Sequence, residues 1–407
     1  MKRTWKHVAA FVVLLLVAAA CGGGTGGSDT SAPSTSVEDT SGSDPTAPDT
    51  TAADTTSTEG PSACDPGSAL ADLQDTVLST GPNGETPVAA STVELTDAER
   101  QQVADMGATA AIVMHYGGND WSQAQIDGLQ ATFDELGIEV VAVTDANFEP
   151  DRQVSDIETV LAQSPDIIVS IPTDPTATAN AYQQAAEQGV EIVFMDNVAN
   201  DMVQGEDYVS VVSADNYGNG VVAAHLMAEA LDCEGTVGVV FHAADFFVTA
   251  QRYEAFTATI TENYPGITIA AEQGIGGPDF SGDAEQAAAA MLTSNPDLDG
   301  IWAVWDVPAE GVLAAARTAG REDLIVTTID LGENVGISIS QGGPVYGLGA
   351  QRPFDQGVAE ATLAAYGLLD KEAPPYVALN ALPVTAENLA EAWETVYHSD
   401  PPETFSN

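Results

Sequence analysis

The sequence predicts an α/β fold of two doubly wound parallel-sheet lobes with a cleft between them. Short apolar, β-branched runs alternate with amphipathic helical stretches from Ala108 onward, which is the signature of a parallel sheet covered on both faces. The rhythm then restarts near Val237, giving a second set of similar size. The body from about Ser62 to Asn407 is long enough for two lobes of ordinary domain size, and 44% of the chain's residues are apolar, enough for packed cores.

The N-terminal residues predict export. Lys2, Arg3 and Lys6 precede an apolar run from Val8 to Ala20, too short to span a membrane comfortably, and Ala18, Ala19 and Ala20 stop directly at Cys21. Residues 1–20 therefore read as a secretory signal. The arrangement resembles the bacterial lipobox, in which such a cysteine is lipidated, although Ala18 stands where leucine is commonest. Ordinary signal cleavage beside an incidental cysteine is the alternative. Residues 21–61 are almost all Gly, Ser, Thr, Pro, Ala and Asp with no apolar periodicity, a composition that cannot offset its ordering entropy and so serves as a tether.

Residues 62–107 form an N-terminal extension in which Thr96-Asp97-Ala98-Glu99 has the spacing of a capping box, and Gly107 closes that helix. Strands are then expected at Ala111–Met114, Val140–Val143, Ile167–Val169 and Ile192–Met195. Helices are expected at Gln125–Leu136, Ser155–Gln163 and Ala177–Gln188. Gly137 and Gly189 fall at helix ends just before the next strand. The second set comprises strands at Val237–Phe241, Ile267–Ala271, Ile301–Val304, Ile325–Ile329 and Val345–Leu348. Its clearest helices are Ala284–Leu292 and Ala309–Ala319.

The formal charge of −51 leaves Lys371 as the one lysine beyond the signal, which disfavours nucleic acid and anionic lipid surfaces as partners. Most of this charge reads as solvated surface. With Cys21 lipidated, Cys64 and Cys233 remain as a possible disulfide in an oxidising compartment, or as two unpaired thiols. Metal-type cysteine spacing is absent, as are a G-x-S-x-G elbow, a Walker loop, an H-E-x-x-H pair and a Rossmann fingerprint.

Several segments, taken in order, resemble the ribose and galactose type of periplasmic binding protein. They are Ile112-Val113-Met114-His115 with Gly117-Gly118-Asn119-Asp120-Trp121, then Ile171-Pro172-Thr173-Asp174, Val193-Phe194-Met195-Asp196-Asn197 and Ser213-Ala214-Asp215-Asn216. Arg252–Phe256, Trp305-Asp306, Ile329-Asp330 and Gly349-Ala350-Gln351 follow. The likeness covers about Ala108 to Leu369. It implies a type I binding-protein architecture with hinged lobes, the first made of residues 108–213 plus 352–380 and the second of 214–351 plus 381–400.

The resemblance implies a ligand set of His115, Asn119, Trp121, Asp174, Asp196, Asn197, Phe247, Arg252, Trp305, Asp306, Asp330 and Gln351, with no catalytic residue, metal or cofactor. Physical reasoning stands beside it: ligands of open parallel sheets collect beyond the carboxyl ends of strands, where these residues fall. Carboxylates, amides and an arginine hydrogen-bond hydroxyls, and aromatic faces pack on a sugar ring. Plainer roles exist for each. Either tryptophan could be core, Asp196 and Asp330 could cap turns, Arg252 could pair with Glu254 or Glu285, and His115 and His242 could be structural.

The departures from the ribose type are Ile171, Asn197, Trp305 and Ser122, which reduce polar contacts and point toward another sugar, a polyol or a similar small hydroxylated solute. The implied function is capture of that solute by a monomer anchored through Cys21 on the outer face of the bacterial cell membrane, for delivery to the permease subunits of an ABC importer. Two other functions remain open: a sensor feeding a chemoreceptor or kinase, and a glycoside-acting enzyme using Asp196, Asp306 and Asp330. A transcriptional repressor of the same body plan is disfavoured, because a signal and an acidic tether stand where a basic headpiece would be.

Overall fold

The computed structural model describes residues 64–73 and 76–406. The signal, the tether and Cys21 lie outside the described residues. The body begins with α1 (Pro66–Asp72), β1 (Val88–Ala89), α2 (Asp97–Met106), β2 (Thr109–Met114), α3 (Asp120–Leu136) and β3 (Glu139–Asp145). It continues with α4 (Pro150–Leu161), β4 (Ile167–Ser170), α5 (Ala179–Glu187), β5 (Glu191–Met195), β6 (Ser210–Ala214) and α6 (Asn216–Ala230). Next come β7 (Gly235–His242), α7 (Phe247–Asn263), β8 (Ile267–Ile275), α8 (Phe280–Ser294), β9 (Gly300–Ala303) and α9 (Asp306–Ala319). The last elements are β10 (Ile325–Ile329), α10 (Glu333–Ser340), β11 (Val345–Ala350), α11 (Pro353–Leu368), β12 (Tyr376–Leu379), β13 (Leu382–Thr385) and α12 (Leu389–Tyr397).

Two sheets result. One has seven strands in the order β1-β12-β6-β5-β4-β2-β3, every neighbouring pair parallel. The other has six in the order β13-β11-β10-β9-β7-β8, parallel except for β13, which runs antiparallel to β11. The chain passes between the sheets at Asp215, at Gln351-Arg352 and at Asn380-Ala381. Because the strands within each sheet are parallel, their carboxyl ends share one edge, and functional side chains gather there.

Local chemistry sets the helix boundaries. Thr96 and Glu99 cap α2 reciprocally, and Gly107 follows it at φ 63°. Asn119 caps α3 by accepting from the Ser122 amide at 2.9 Å, and Gly137 ends that helix at φ 70°. Asp215 caps α6 and also holds the extension: its carboxylate accepts from the amides of Gly218, Leu78 and Ser79 at 2.8–2.9 Å. At the start of the extension, Cys64 is disulfide-bonded to Cys233, with Cα atoms 6.1 Å apart.

Helices α3 and α11 pack backbone to backbone on the first sheet. A Cβ added to Gly128 would stand 2.1 Å from the Phe354 carbonyl oxygen, and one added to Gly357 would stand 2.4 Å from that of Gln125. Neither neighbour is a side chain that can rotate away. Gly128→Ala is therefore expected to destabilise the protein by about 1–3 kcal/mol through overpacking, read as a lowered Tm in calorimetry. An unchanged Tm would show that the two helices have room to separate.

Candidate functional site

The shared sheet edges enclose a cavity of about 60 Å³ between the lobes. From the first sheet come His115 and Tyr116 beyond β2, Asn119, Trp121 and Ser122 at the start of α3, Phe148 beyond β3 and Asp196 beyond β5. From the second come His242 at the end of β7, Phe246, Val248, Thr249 and Arg252 around the start of α7, Trp305 beyond β9, Asp330 beyond β10 and Gln351 beyond β11.

A continuous chain of hydrogen bonds crosses the floor of this cavity. Ser213 Oγ donates to Asp196 Oδ1 at 2.5 Å, and Asn216 Nδ2 donates to Ser213 Oγ at 3.0 Å. Arg252 Nε donates to Asn216 Oδ1 at 2.8 Å, while its Nη1 reaches the Val304 carbonyl at 3.3 Å and Asp330 Oδ2 at 3.2 Å. Gln351 Nε2 donates to Asp330 Oδ1 at 2.7 Å. Asp196 and Asp330 occupy equivalent places. Each follows a strand in the left-handed region (φ 55° and 68°), and each donates its amide to the neighbouring strand, at the Val212 and Gly349 carbonyls. Aspartate tolerates that conformation better than most side chains.

Burial governs the electrostatics. It pushes Asp196 up to about 6, against the Ser213 hydrogen bond and the Arg252 charge. It also raises Asp330, opposed by Arg252 and Gln351. His115 is pushed down to about 3 by burial and by His242, and His242 down to about 4 by burial and by the Arg252 guanidinium. At neutral pH the imidazoles are uncharged, and the Arg252–Asp330 ion pair has both side chains buried.

Aromatic rings form the remaining wall and cross the cleft. Phe148, from the first lobe, lies 6.1 Å from Phe246 and 5.2 Å from Phe280 of the second, while His115 stacks on Phe246 at 5.7 Å. His242 and Phe280 meet Trp305 edge-on at 5.5 and 5.0 Å. These contacts mark a closed arrangement of the lobes. Trp121 and Trp305 belong to the hydrophobic cores and also line the cavity, so core and cleft are not exclusive roles for either.

The cavity wall brings together His115, Asn119, Trp121, Asp196, Arg252, Trp305, Asp330 and Gln351 from the sequence-derived set, and leaves four others out. Phe247 is replaced by its neighbour Phe246. Phe247 begins α7 half-buried against the first lobe's core, because the helix turn points the preceding ring into the cleft. Asp174 caps its own turn, accepting from the Thr176 and Ala177 amides at 2.8 Å. Asn197 is buried behind Asp196, with its Nδ2 3.4 Å from the Pro172 carbonyl. Asp306 is the first residue of α9, where its Oδ1 accepts from the adjacent Val307 amide at 2.9 Å, and it packs toward Gly332. Of the three aspartates of the enzymatic alternative, Asp196 and Asp330 line the cavity and Asp306 does not. Tyr116, Phe148, Val248 and Thr249 line the wall without having been singled out, and Ser122, noted only as a departure from the ribose type, lines it too. Applying the strand-end rule to β3 would have reached Phe148.

Residues 110–373 match the family described as periplasmic binding protein domain. The chain is 26% identical over 222 residues to a ribose import binding protein of Escherichia coli (strain K12), covering 54% of this chain and 72% of that one. It is 25% identical over 253 residues to a D-apiose import binding protein of Actinobacillus succinogenes, covering 62% and 79%. In fold it is similar to an ABC transporter solute-binding protein of Agrobacterium vitis bound with α-D-tagatopyranose, with a TM-score of 0.65 at 22% identity, covering 71% of this chain and 99% of that one.

The depressed His115 has a consequence for stability. The unfolded chain takes up the proton first, so the contribution of a neutral His115 is complete above the unfolded value near 6.5 and is lost as pH falls below it. Acidification from about pH 7.5 to about pH 5.5 should cost the wild type about 1.4 kcal/mol through this residue. His115→Gln should lack that increment in denaturant titrations at the two pH values. Equal pH dependence in both proteins would show that His115 is solvated.

Proposed function

Because this chain belongs to the periplasmic binding protein domain family, we propose that it captures a small, neutral, hydroxyl-rich solute, a sugar or polyol, and delivers it to an ABC importer. The observation that carries this reading is the closed interlobe cavity, in which a compensated Arg252–Asp330–Gln351 group and Asp196 face aromatic rings. A volume of about 60 Å³ is room for about four or five water molecules, the scale of a small solute and not of a polymer.

The side chains present suit hydroxyls of both polarities. Asn119 Oδ1 is committed to capping α3, which leaves its amide nitrogen as a donor toward the cavity. Asp196 Oδ1 is committed to Ser213, which leaves Oδ2 as an acceptor. Arg252 is already neutralised by Asp330, so a charged ligand would arrive without a counter-charge, whereas an uncharged one exchanges its water for fixed dipoles. Lobe closure over the solute excludes water and presents an occupied body to the membrane permease. The protein acts outside the cytoplasm as a monomer held by lipid at Cys21. Its ligand differs from ribose, since Ile171, Asn197, Ser122 and Trp305 replace polar and aromatic positions of the ribose type.

The test is calorimetric titration and thermal shift with D-ribose, D-apiose, D-tagatose, allitol and myo-inositol. A ligand present at about a hundred times its Kd should add about 2.7 kcal/mol of stability. Asp330→Asn, which preserves shape but removes the counter-charge that holds the Arg252 guanidinium, should weaken that ligand by roughly tenfold to a hundredfold. Wild-type protein indifferent to sugars and polyols, or an Asp330→Asn protein with wild-type affinity, would remove this reading of the site.

A further inference from the structure

Asp120 lies between two cavity-lining residues, Asn119 and Trp121, yet does not line the cavity. Its carboxylate reaches across the cleft instead. Oδ2 accepts from the Glu333 backbone amide at 2.7 Å, and Glu333 is the first residue of α10 in the opposite lobe. Helix α10 has no cap of its own: its N-cap residue is Gly332, which contributes no side-chain hydrogen bond. The first lobe therefore supplies the cap that this helix lacks.

Three features make that contact more than incidental. The loop carrying it begins at Asp330, the partner of Arg252 in the cavity floor, so four consecutive residues, 330–333, join the cavity to the latch. That loop is anchored from behind, where the Tyr397 hydroxyl donates to the Leu331 carbonyl. Gly332 leaves the approach clear: a Cβ there would stand 2.2 Å from Asp306 Oδ2 and 3.5 Å from Asp120 Oδ2. Asp306, absent from the cavity wall, thus lies beside this contact.

We propose that Asp120 is a closure latch, a residue that caps α10 across the cleft only when the lobes are shut and so raises affinity for the solute without touching it. The proposal rests on the solute-binding reading of the cavity. When the lobes part, α10 loses its cap and the Glu333 amide returns to water. Every ligand that needs the closed form gains from the latch by the same factor, because apparent affinity scales with how readily the binding-competent state is reached. A residue that touched the ligand would instead change the preference among ligands.

The experiment compares wild type, Asp120→Ala and Asp120→Asn. Loss of an N-cap corresponds to roughly a threefold to tenfold change in an equilibrium. Asp120→Ala should raise Kd by that factor for every sugar or polyol bound, with their rank order unchanged and the loss expressed as faster dissociation. Asp120→Asn, whose amide oxygen still accepts, should recover most of it. Altered rank order would make Asp120 a ligand contact, and unchanged Kd values would show that the cap holds nothing; either result overturns the proposal. Spin labels on E135C and E322C, one exposed position in each lobe, measure closure directly in ligand-free protein. Should the wild type bind none of the sugars or polyols, the solute-binding reading fails by itself. The latch then stands if Asp120→Ala shrinks the closed component of the distance distribution, and falls if that component is unchanged or absent from the wild type.

Discussion

The site depends on one buried ion pair. Burying a guanidinium is costly unless its donors are satisfied, and removing one partner of a buried pair typically costs about 3–5 kcal/mol. Arg252 meets that demand with acceptors from three places: Asn216 just past the first crossing between lobes, the Val304 carbonyl beyond β9, and Asp330 beyond β10. Its position is fixed by all three, and it fixes them in turn. The hydrogen bonds from Asn216 through Ser213 to Asp196 carry this order into the other lobe, and Gln351 carries it to the second crossing. One cation thereby ties the cavity-lining carboxylates to two of the segments at which the chain passes between the sheets.

This arrangement also sets the cavity, with its paired charges, apart from the strongly acidic protein around it. The protein's formal charge is −51, yet the cavity wall holds one guanidinium, its carboxylate partner, Asp196 and two uncharged imidazoles. Surface carboxylates are solvated and screened within about 10 Å at ordinary ionic strength, so they contribute little field at a closed interior site. The aromatic wall keeps the interior dry when the lobes meet. Phe148 belongs to the first lobe by sequence but packs against the cores of both, so closure is driven partly by covering its ring.

Most of the architecture was legible in the sequence because parallel strands buried on both faces appear as short apolar runs, and such runs locate their own carboxyl ends. That rule reaches Asp196, Asp330 and Gln351, whereas Arg252, inside α7, was singled out from the family resemblance. It failed where a neighbour or a turn decided the outcome. Phe246 and Phe247 are adjacent and identical, and only the start of α7 determines which ring enters the cleft. Asp174 and Asp306 lie beyond strands as Asp196 does, but Asp174 caps the turn that follows it and Asp306 opens α9. Helix α6 was not singled out because it is buried on nearly every side and shows no polar face. Strands β12 and β13 run together as Tyr376–Leu379 and Leu382–Thr385 with no helix between them, so the strand–helix alternation that marks the other strands is missing there.

The near-symmetry of the lobes ends at their two left-handed aspartates, and that difference gives the cavity a direction. Asp330 has both oxygens engaged, one by Arg252 and one by Gln351, so its charge is spread into the second lobe. Asp196 is held through one oxygen by a neutral hydroxyl and lies farther along the chain of hydrogen bonds from the guanidinium. Burial raises both, but at Asp330 the Arg252 charge and the Gln351 hydrogen bond oppose it at both oxygens, whereas a hydroxyl donated to the free oxygen of Asp196 would supply compensation that oxygen lacks. A solute with hydroxyls at both ends would gain more at the Asp196 end than at the Arg252 end. The first lobe thus supplies the stronger demand for a partner and the second the more completed scaffold, and a guest is oriented by that inequality before any contact specific to its ring comes into play.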